Sequence, residues 1–203
     1  MQIKKKEVRR KILEAARKEF QEKSFRGSSM RSISRSAKVS TSNIYNYFKN
    51  KDEMFRNILR PLIQKIEFAK QKFVEFESSH VNSENSLKGH QELVKKVAEF
   101  VDNYRAEFKM LIFKSEGSSL GNYDDHLVDW FTQAMKNSFS QKPGHEIDEF
   151  LIHVTISVWI NSVKEIIMHD IKGQRALNIA QDIMTFVFIG WQGVMEGKGV
   201  HHP

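Results

Sequence analysis

The chain has no cysteine among its 203 residues. That excludes disulfides, thiolate zinc sites, iron–sulfur clusters and a cysteine nucleophile. It has 3 Pro and 10 Gly, with no Gly between Ser28 and Lys88. All-β chains need turn residues far more often, whereas long helices tolerate their absence. Unbroken apolar runs reach only about five residues, as at Phe186 to Ile189 with its neighbours, well short of the roughly twenty that span a bilayer. No membrane partner is therefore expected. Met1 to Lys6 is basic, but no apolar segment follows it as in a secretory signal. By exclusion, the expectation is a reducing, cytoplasmic setting. No period of 20–50 residues stands out, which argues against a solenoid. At 40% hydrophobic and 28% charged, the composition is that of a folded globular chain.

What is present is an uneven charge. The net charge is +7. Residues 1–60 hold 17 Lys+Arg against 6 Asp+Glu, or +11; residues 61–203 hold 15 against 19, or −4. The first third is a polycation and the remainder mildly acidic. Such asymmetry suits a segment that meets phosphates joined to one that does not, although membranes and acidic proteins also attract cations.

Periodicity predicts helices throughout. Val8, Ile12, Ala16 and Phe20 recur at four-residue spacing over residues 5–23. Ser28 or Ser29 caps a short helix to Ala37, Lys38-Val39 makes a turn, and Ser40 or Thr41 caps a second short helix to Phe48. Asp52 caps a long helix whose stripe includes Met54, Phe55, Ile58, Leu59 and Leu62; Pro61 is expected to kink or split it. Residues 78–90 read as a loop, 91–113 as one helix, 114–122 as a loop and 123–139 as a helix, with Pro143-Gly144 marking a turn. Residues 147–168 are β-branched enough to suggest a strand, but twenty residues at helical spacing decide for helix. A last helix covers 176–195. The expected fold is all-α: an N-terminal three-helix, helix-turn-helix domain at 1–50, and a larger helical domain at 51–203.

The densest local pattern is Gly27 to Phe55. Ala37 is small enough for two steeply crossed helices to approach. Val39, Ile44 and Phe48 then close a core with Ile33 and Phe20. The second short helix is left with Thr41, Ser42, Asn43, Tyr45, Asn46 and Tyr47, the groups that meet base edges and phosphates in a major groove. This region resembles the DNA-binding domain of the tetracycline-repressor (TetR) family of bacterial transcription regulators. The matching elements are the basic first helix ending in Phe20, Phe25-Arg26-Gly27, Ile33, Ala37, Val39-Ser40, Ile44-Tyr45, Tyr47-Phe48 and Lys51-Asp52-Glu53-Met54-Phe55. They cover about fifty residues, roughly a quarter of the chain. Lys38 and Ser42 stand where the family often has Gly, and Ser34 where it often has Ala. The resemblance implies a recognition helix at Thr41 to Phe48 and DNA contacts by Thr41, Ser42, Asn43, Tyr45 and Tyr47. It also implies backbone contacts by Ser29 and Arg31 and a phosphate contact by Lys51. For Tyr45 and Tyr47 phosphate contact is favoured over core packing. The early cations Lys4 to Lys6 and Arg9 to Lys11 fit either a minor-groove arm or, preferably, a solvated helix start.

The acidic part holds 11 of the 15 Phe and all three Trp. The resemblance implies two uses for it. One is a pocket for a small apolar or amphipathic effector, with Phe100, Tyr104, Phe108, Met110, Phe113, Trp130, Phe131, Met135, His153 and Trp159 as candidate lining. The other is a homodimer interface on the last two helices, with Ile156, Ile160, Val163, Ile179, Ile183, Phe186, Val187, Gly190 and Val194 as candidates. A two-fold dimer reading a palindromic operator in double-stranded DNA follows from the same resemblance. No nucleotide-binding loop, nucleophile elbow or zinc-protease motif occurs. His145-Glu146 with Glu149 lacks a second His, and Asp124-Asp125-His126 reads as a helix start, so neither metal, cofactor nor catalytic residue is expected. The expected function is a sequence-specific DNA-binding transcription regulator, a repressor released by an effector. The alternative is a DNA-binding protein without a small-molecule effector, constitutive or answering to a protein partner.

Overall fold

The computed structural model describes residues 2–80, 86–140 and 147–195. Within them lie nine helices and no strand: α1 (Gln2–Gly27), α2 (Met30–Ala37), α3 (Thr41–Tyr45), α4 (Lys51–His80), α5 (Ser86–Asn103), α6 (Arg105–Phe113), α7 (Tyr123–Phe139), α8 (Glu149–Met168) and α9 (Gly173–Met195). The all-helical expectation holds, and the β-branched run is helix α8. The turn expected at Pro143-Gly144, His145-Glu146 and the closing His201-His202 lie outside the described residues.

Several boundaries differ from the periodicity, each for a local reason. The helix expected to reach Phe48 stops at Tyr45, because the Tyr47 and Phe48 N–H groups both turn back onto the Ile44 carbonyl, at 2.9 and 3.0 Å. Asn50, rather than Asp52, caps α4: its Oδ1 accepts the Glu53 N–H at 2.8 Å, while Glu53 Oε2 accepts the Lys49 N–H at 2.6 Å. α4 runs through Pro61 without splitting. Pro61 lacks only one donor, and the turns on either side are held by Met54, Ile58, Leu59 and Leu62, all buried. The single helix expected over 91–113 is interrupted at Tyr104 into α5 and α6. α4 and α5 also extend into the loop expected at 78–90.

The chain divides into two compact units. The first comprises Met1–Glu67 and Ala106–Tyr123, so it extends past the expected 1–50 segment. α1 packs on α2 and α2 on α3. Its core is Ile12, Ala16, Phe20, Ile33, Ile44, Phe48, Met54 and Phe55, with Phe20 and Phe25 meeting the Phe55 ring at 5.0 and 5.3 Å between centroids. The early part of α4 belongs here because its apolar stripe is what covers this core. Residues 106–123 are fastened to it by named contacts. The Phe25 N–H donates to the Lys114 carbonyl at 2.7 Å. Arg17 pairs with Glu107 and Arg26 with Glu116. Asp52 accepts both the N–H and the hydroxyl of Ser119, at 2.7 and 2.8 Å. The Tyr123 hydroxyl donates to Glu67 at 3.3 Å; burial, reinforced by the Glu67 charge and this bond, pushes the phenol well above its ordinary pKa.

The second unit comprises Phe68–Arg105 and Asp124–Pro203. α9 packs on α5 and α8 around Val94, Ile166, Ala176 and Ala180. Phe73, Trp130 and Phe131 form an edge-on cluster with centroids 5.0 to 6.5 Å apart. Arg105 is buried and holds the end of α8: its guanidinium donates to the Ile171 carbonyl at 2.6 Å and the Ile166 carbonyl at 3.3 Å, and pairs with Asp102.

Candidate nucleic-acid interface

The helix-turn-helix is built by its serines. Ser29 caps α2: its Oγ accepts the Ser32 N–H at 3.0 Å, and the Ser32 hydroxyl returns to the Ser29 backbone, a complete capping box. Ser40 caps α3 by accepting the Asn43 N–H at 3.1 Å. Between the two, Lys38 takes the left-handed conformation at φ 56°, ψ 42°. The Val39 N–H then reaches the Ser34 carbonyl at 3.1 Å, the bond that closes a helix end in this geometry. Ser34, buried, bonds to Thr41 Oγ1 at 2.9 Å and so links α2 to α3.

This frame decides how the expected contact residues are presented. Ile44 and Phe48 are buried, as expected. Tyr45 is 54% exposed, and Ser42, three residues before it, is exposed as well. Asn43 and Tyr47 are half-buried; Asn43 Oδ1 accepts from the Asn46 amide at 3.3 Å. Arg31 is exposed, and its guanidinium has no hydrogen-bond or ion-pair partner among the described residues. Thr41 and Lys51 are bonded to other elements of the chain. Thr41 is half-buried, with its hydroxyl on Ser34. Lys51 donates through Nζ to the Phe25 and Ser28 carbonyls at 2.7 and 2.8 Å, and lies 4.2 Å from the centre of the Phe25 ring. Burial lowers its pKa. In the DNA-free chain Lys51 thus ties the end of α1 to the start of α4. No local sequence signal exposes this, because the partners are backbone carbonyls 23 and 26 residues away.

Charge reinforces the surface. From Lys23 to Lys51 the chain has seven cations and no acid. Lys23 pairs with Glu19 and Arg26 with Glu116. The Arg35 charge acts on buried Glu19, whose carboxyl burial would raise; the Ser32 hydroxyl, Lys23 and Arg35 outweigh that and lower it. Arg31, Lys38 and Lys49 are exposed with no side-chain partner among the described residues.

The candidate pocket residues are dispersed. Phe108 and Met110 are buried in the first unit, where Phe113 is partly exposed. The others belong to the second. There Phe100 meets Tyr104 edge-on at 5.4 Å, Trp130 and Phe131 join Phe73, Trp159 packs on the Val94 core, and Met135 is half-buried. His153 lies instead on the surface of α8, stacked on Phe150, in a groove of about 570 Å³ that Val154, Ser157, Val158, Asn161 and Glu165 also line.

The candidate dimer residues divide as well. Phe186 is 79% exposed, and Gly190 and Val194 are also exposed. Ile156, Ile160, Val163, Ile183 and Val187 are half-buried, and Ile179 is turned onto the Val94 core. On α8 the outward face is a different stripe, Phe150, Leu151, Val154 and Val158, joined by Ile189 on α9. α8 carries apolar residues on both its inward (Ile152, Ile167) and its outward face, so apolar spacing alone could not tell one stripe from the other.

Asp124 pairs with Lys164 at 2.6 Å, and among the described residues no group of three His, Asp or Glu is placed to hold a metal.

Residues 12–58 match the family described as bacterial regulatory proteins, tetR family. No curated protein matches the chain by sequence. Among solved structures, NalD, the secondary repressor of the MexAB-OprM multidrug efflux pump in Pseudomonas aeruginosa, aligns over 92% of this chain and 96% of its own, with a TM-score of 0.65 at 16% identity. A Clostridium perfringens protein provisionally assigned as a fatty acid metabolism regulator covers 89% of this chain and 97% of its own, with a TM-score of 0.59 at 22% identity. FadR from Bacillus subtilis, solved in complex with stearoyl-CoA, covers 87% of this chain and 96% of its own, with a TM-score of 0.55 at 16% identity. Residues 12–58 are thus a tetR-family helix-turn-helix domain, and the all-helical fold that carries it is the one these solved regulators share.

Proposed function

We propose that the chain is a sequence-specific DNA-binding transcription regulator that acts as a homodimer on a palindromic operator, and that it is a repressor released by a small apolar or amphipathic effector. The observation that carries the reading is the outward edge of α3. Tyr45 and Ser42 are exposed there within an acid-free stretch that leaves Arg31, Lys38 and Lys49 unpaired. Duplex DNA fits such a surface: the cations displace condensed counterions, and α3 offers donors and acceptors to base edges. Ser29, Arg31, Ser42, Asn43, Tyr45 and Tyr47 are the residues proposed to touch it. The dimer reading rests on the exposed apolar stripes of α8 and α9. The effector reading rests on the aromatic cluster of the second unit and on the stearoyl-CoA complex of the FadR neighbour.

The test is capture of genomic fragments on the purified chain. Enriched fragments should share an inverted repeat with half-sites about one helical turn, roughly 34–36 Å, or a multiple of it apart. Asn43→Ala should shift preference at one base position by about 1–3 kcal/mol. Stearoyl-CoA and shorter acyl probes are then titrated against the captured operator, and loss of occupancy identifies an effector. Enrichment of no sequence above random would overturn specific recognition. Operator occupancy indifferent to every acyl probe would overturn acyl compounds as the effector class.

A further inference from the structure

We infer that Lys38, the turn residue between α2 and α3, is a phosphate contact of this chain in addition to those its family resemblance implies. The inference rests on the DNA-binding reading above. Lys38 adopts φ 56°, ψ 42°, a left-handed conformation that glycine takes freely and that crowds the Cβ of any other L-residue. Asn sometimes substitutes there because its short side chain bonds locally; lysine has no such compensation. A lysine at this position is therefore held against a local preference, and what its side chain touches becomes the question. Within the chain it touches nothing polar: Lys38 is exposed and its ammonium has no hydrogen-bond or ion-pair partner among the described residues. The turn itself is closed by backbone groups alone, through the Lys38 and Val39 N–H groups, and would close identically around glycine.

Position supplies the rest. Lys38 stands two residues before Ser40, the cap of α3, so its stem leaves the protein beside the proposed reading helix. Its neighbours in the acid-free stretch, Arg31 on one side and Lys49 on the other, are likewise exposed and unpaired. No carboxylate between Lys23 and Lys51 competes for the ammonium. A cation on a flexible four-carbon stem serves phosphate as a point charge without base preference. Lys38 therefore adds affinity to all duplex sequences and leaves the choice of operator to α3.

The experiment compares wild type, Lys38→Gly and Lys38→Arg on a random-sequence duplex of about three helical turns and on the captured operator, across a salt series, with thermal unfolding of each protein alongside. Lys38→Gly removes the charge and the backbone conflict together. It should flatten the slope of log K against log[salt] by about 1.8, roughly 0.9 for each of the two Lys38 side chains of the dimer, and weaken binding about thirtyfold at 0.15 M salt on both duplexes, the deficit closing toward 1 M. Its Tm should be no lower than wild type, since the turn then holds its preferred residue. Lys38→Arg, charged and equally strained, should keep the wild-type slope. An unchanged slope in Lys38→Gly overturns the inference, as does a slope lost equally in Lys38→Arg or accompanied by a fall in Tm. A wild-type protein showing no salt-dependent duplex binding overturns the DNA-binding reading, and this inference with it.

Discussion

At the scale of single residues, the first unit turns on Phe25 and the strained Ser24 before it. Ser24 has φ 60°, ψ 173°, a kink inside α1. That region is essentially reserved for glycine and costs about 1–3 kcal/mol elsewhere. What the kink achieves is visible next door. The Phe25 N–H donates to the Lys114 carbonyl, its carbonyl accepts from Lys51, and its ring packs against both Phe20 and Phe55. A straight helix would have spent those backbone groups within α1. The Ser24 hydroxyl itself has no partner among the described residues. Ser24→Gly should therefore relieve the strain and lose nothing, raising stability by about 1 kcal/mol after the added chain entropy of glycine is subtracted. Urea unfolding reads this as a higher midpoint at an unchanged m-value; a lower midpoint would show that the kink is not strained.

At the scale of elements, the break between α5 and α6 is explained by what Arg105 does. Its guanidinium serves Asp102 on one side and, on the other, the Ile166 carbonyl in the last turn of α8 and the Ile171 carbonyl in the α8–α9 connection, while Nε is buried with no partner among the described residues. Asp102 also accepts the Gly173 N–H at 3.0 Å, at the start of α9. Burial raises the Asp102 pKa, but Arg105, the Gly173 N–H and Lys172 together overcome it and the net shift is downward. A carboxyl lowered in the folded state stabilises fully above its unfolded value, about 3.9, and loses that contribution as pH falls through the folded value. Wild-type stability should thus fall between about pH 5 and pH 2, and Asp102→Asn should flatten that fall. Arg105→Ala leaves Asp102 with the Gly173 N–H but no guanidinium and takes from the Ile171 carbonyl its side-chain donor, and should cost about 3 kcal/mol; the low end applies because the Asp102 side chain keeps 33% of its surface in water. Denaturant titrations over this pH range check both variants, and an equal acid slope in Asp102→Asn would remove Asp102 from the account. None of this was legible in the sequence. The apolar periods at Ile12, Ile33, Ile44 and Met54 made the helices and the core of the first unit readable, because burial repeats at helical spacing. The Ser29 cap, the Lys38-Val39 turn and the outward Tyr45 were readable for the same local reasons. Arg105, Lys51 and Asp52 were not, since each is defined by partners on distant segments, and charge alone does not say which cation is already engaged.

At the scale of the molecule, α8 poses the sharpest choice. An 18-residue window of this 20-residue helix has a mean hydropathy of 1.4, and only 17% of that window is buried in the protomer, so by length and composition it would suit a bilayer. Its outward surface argues otherwise. Ser157, Asn161 and Glu165 lie along the same groove as Phe150, Val154 and Val158. Lipid tails cannot satisfy them, whereas a protein partner with a polar rim can. α9 adds Phe186 and Ile189, at 79% and 58% exposure, and Gly190 and Gly193, where an added Cβ would meet nothing within 4 Å. The exposed apolar area on these two helices is of the kind that folded chains cover with a second copy of themselves. The wild-type chain should sediment as a dimer at micromolar concentration. Val158→Glu with Phe186→Glu should sediment as a monomer with unchanged helical circular dichroism, because both side chains lie outside the protomer core and the new carboxylates would be desolvated only in the interface. Operator binding should weaken in step, as the two reading heads would no longer be held on one partner molecule. A wild-type monomer, or a wild-type chain that floats with neutral phosphatidylcholine vesicles while the double variant does not, would assign the face to something other than a second copy.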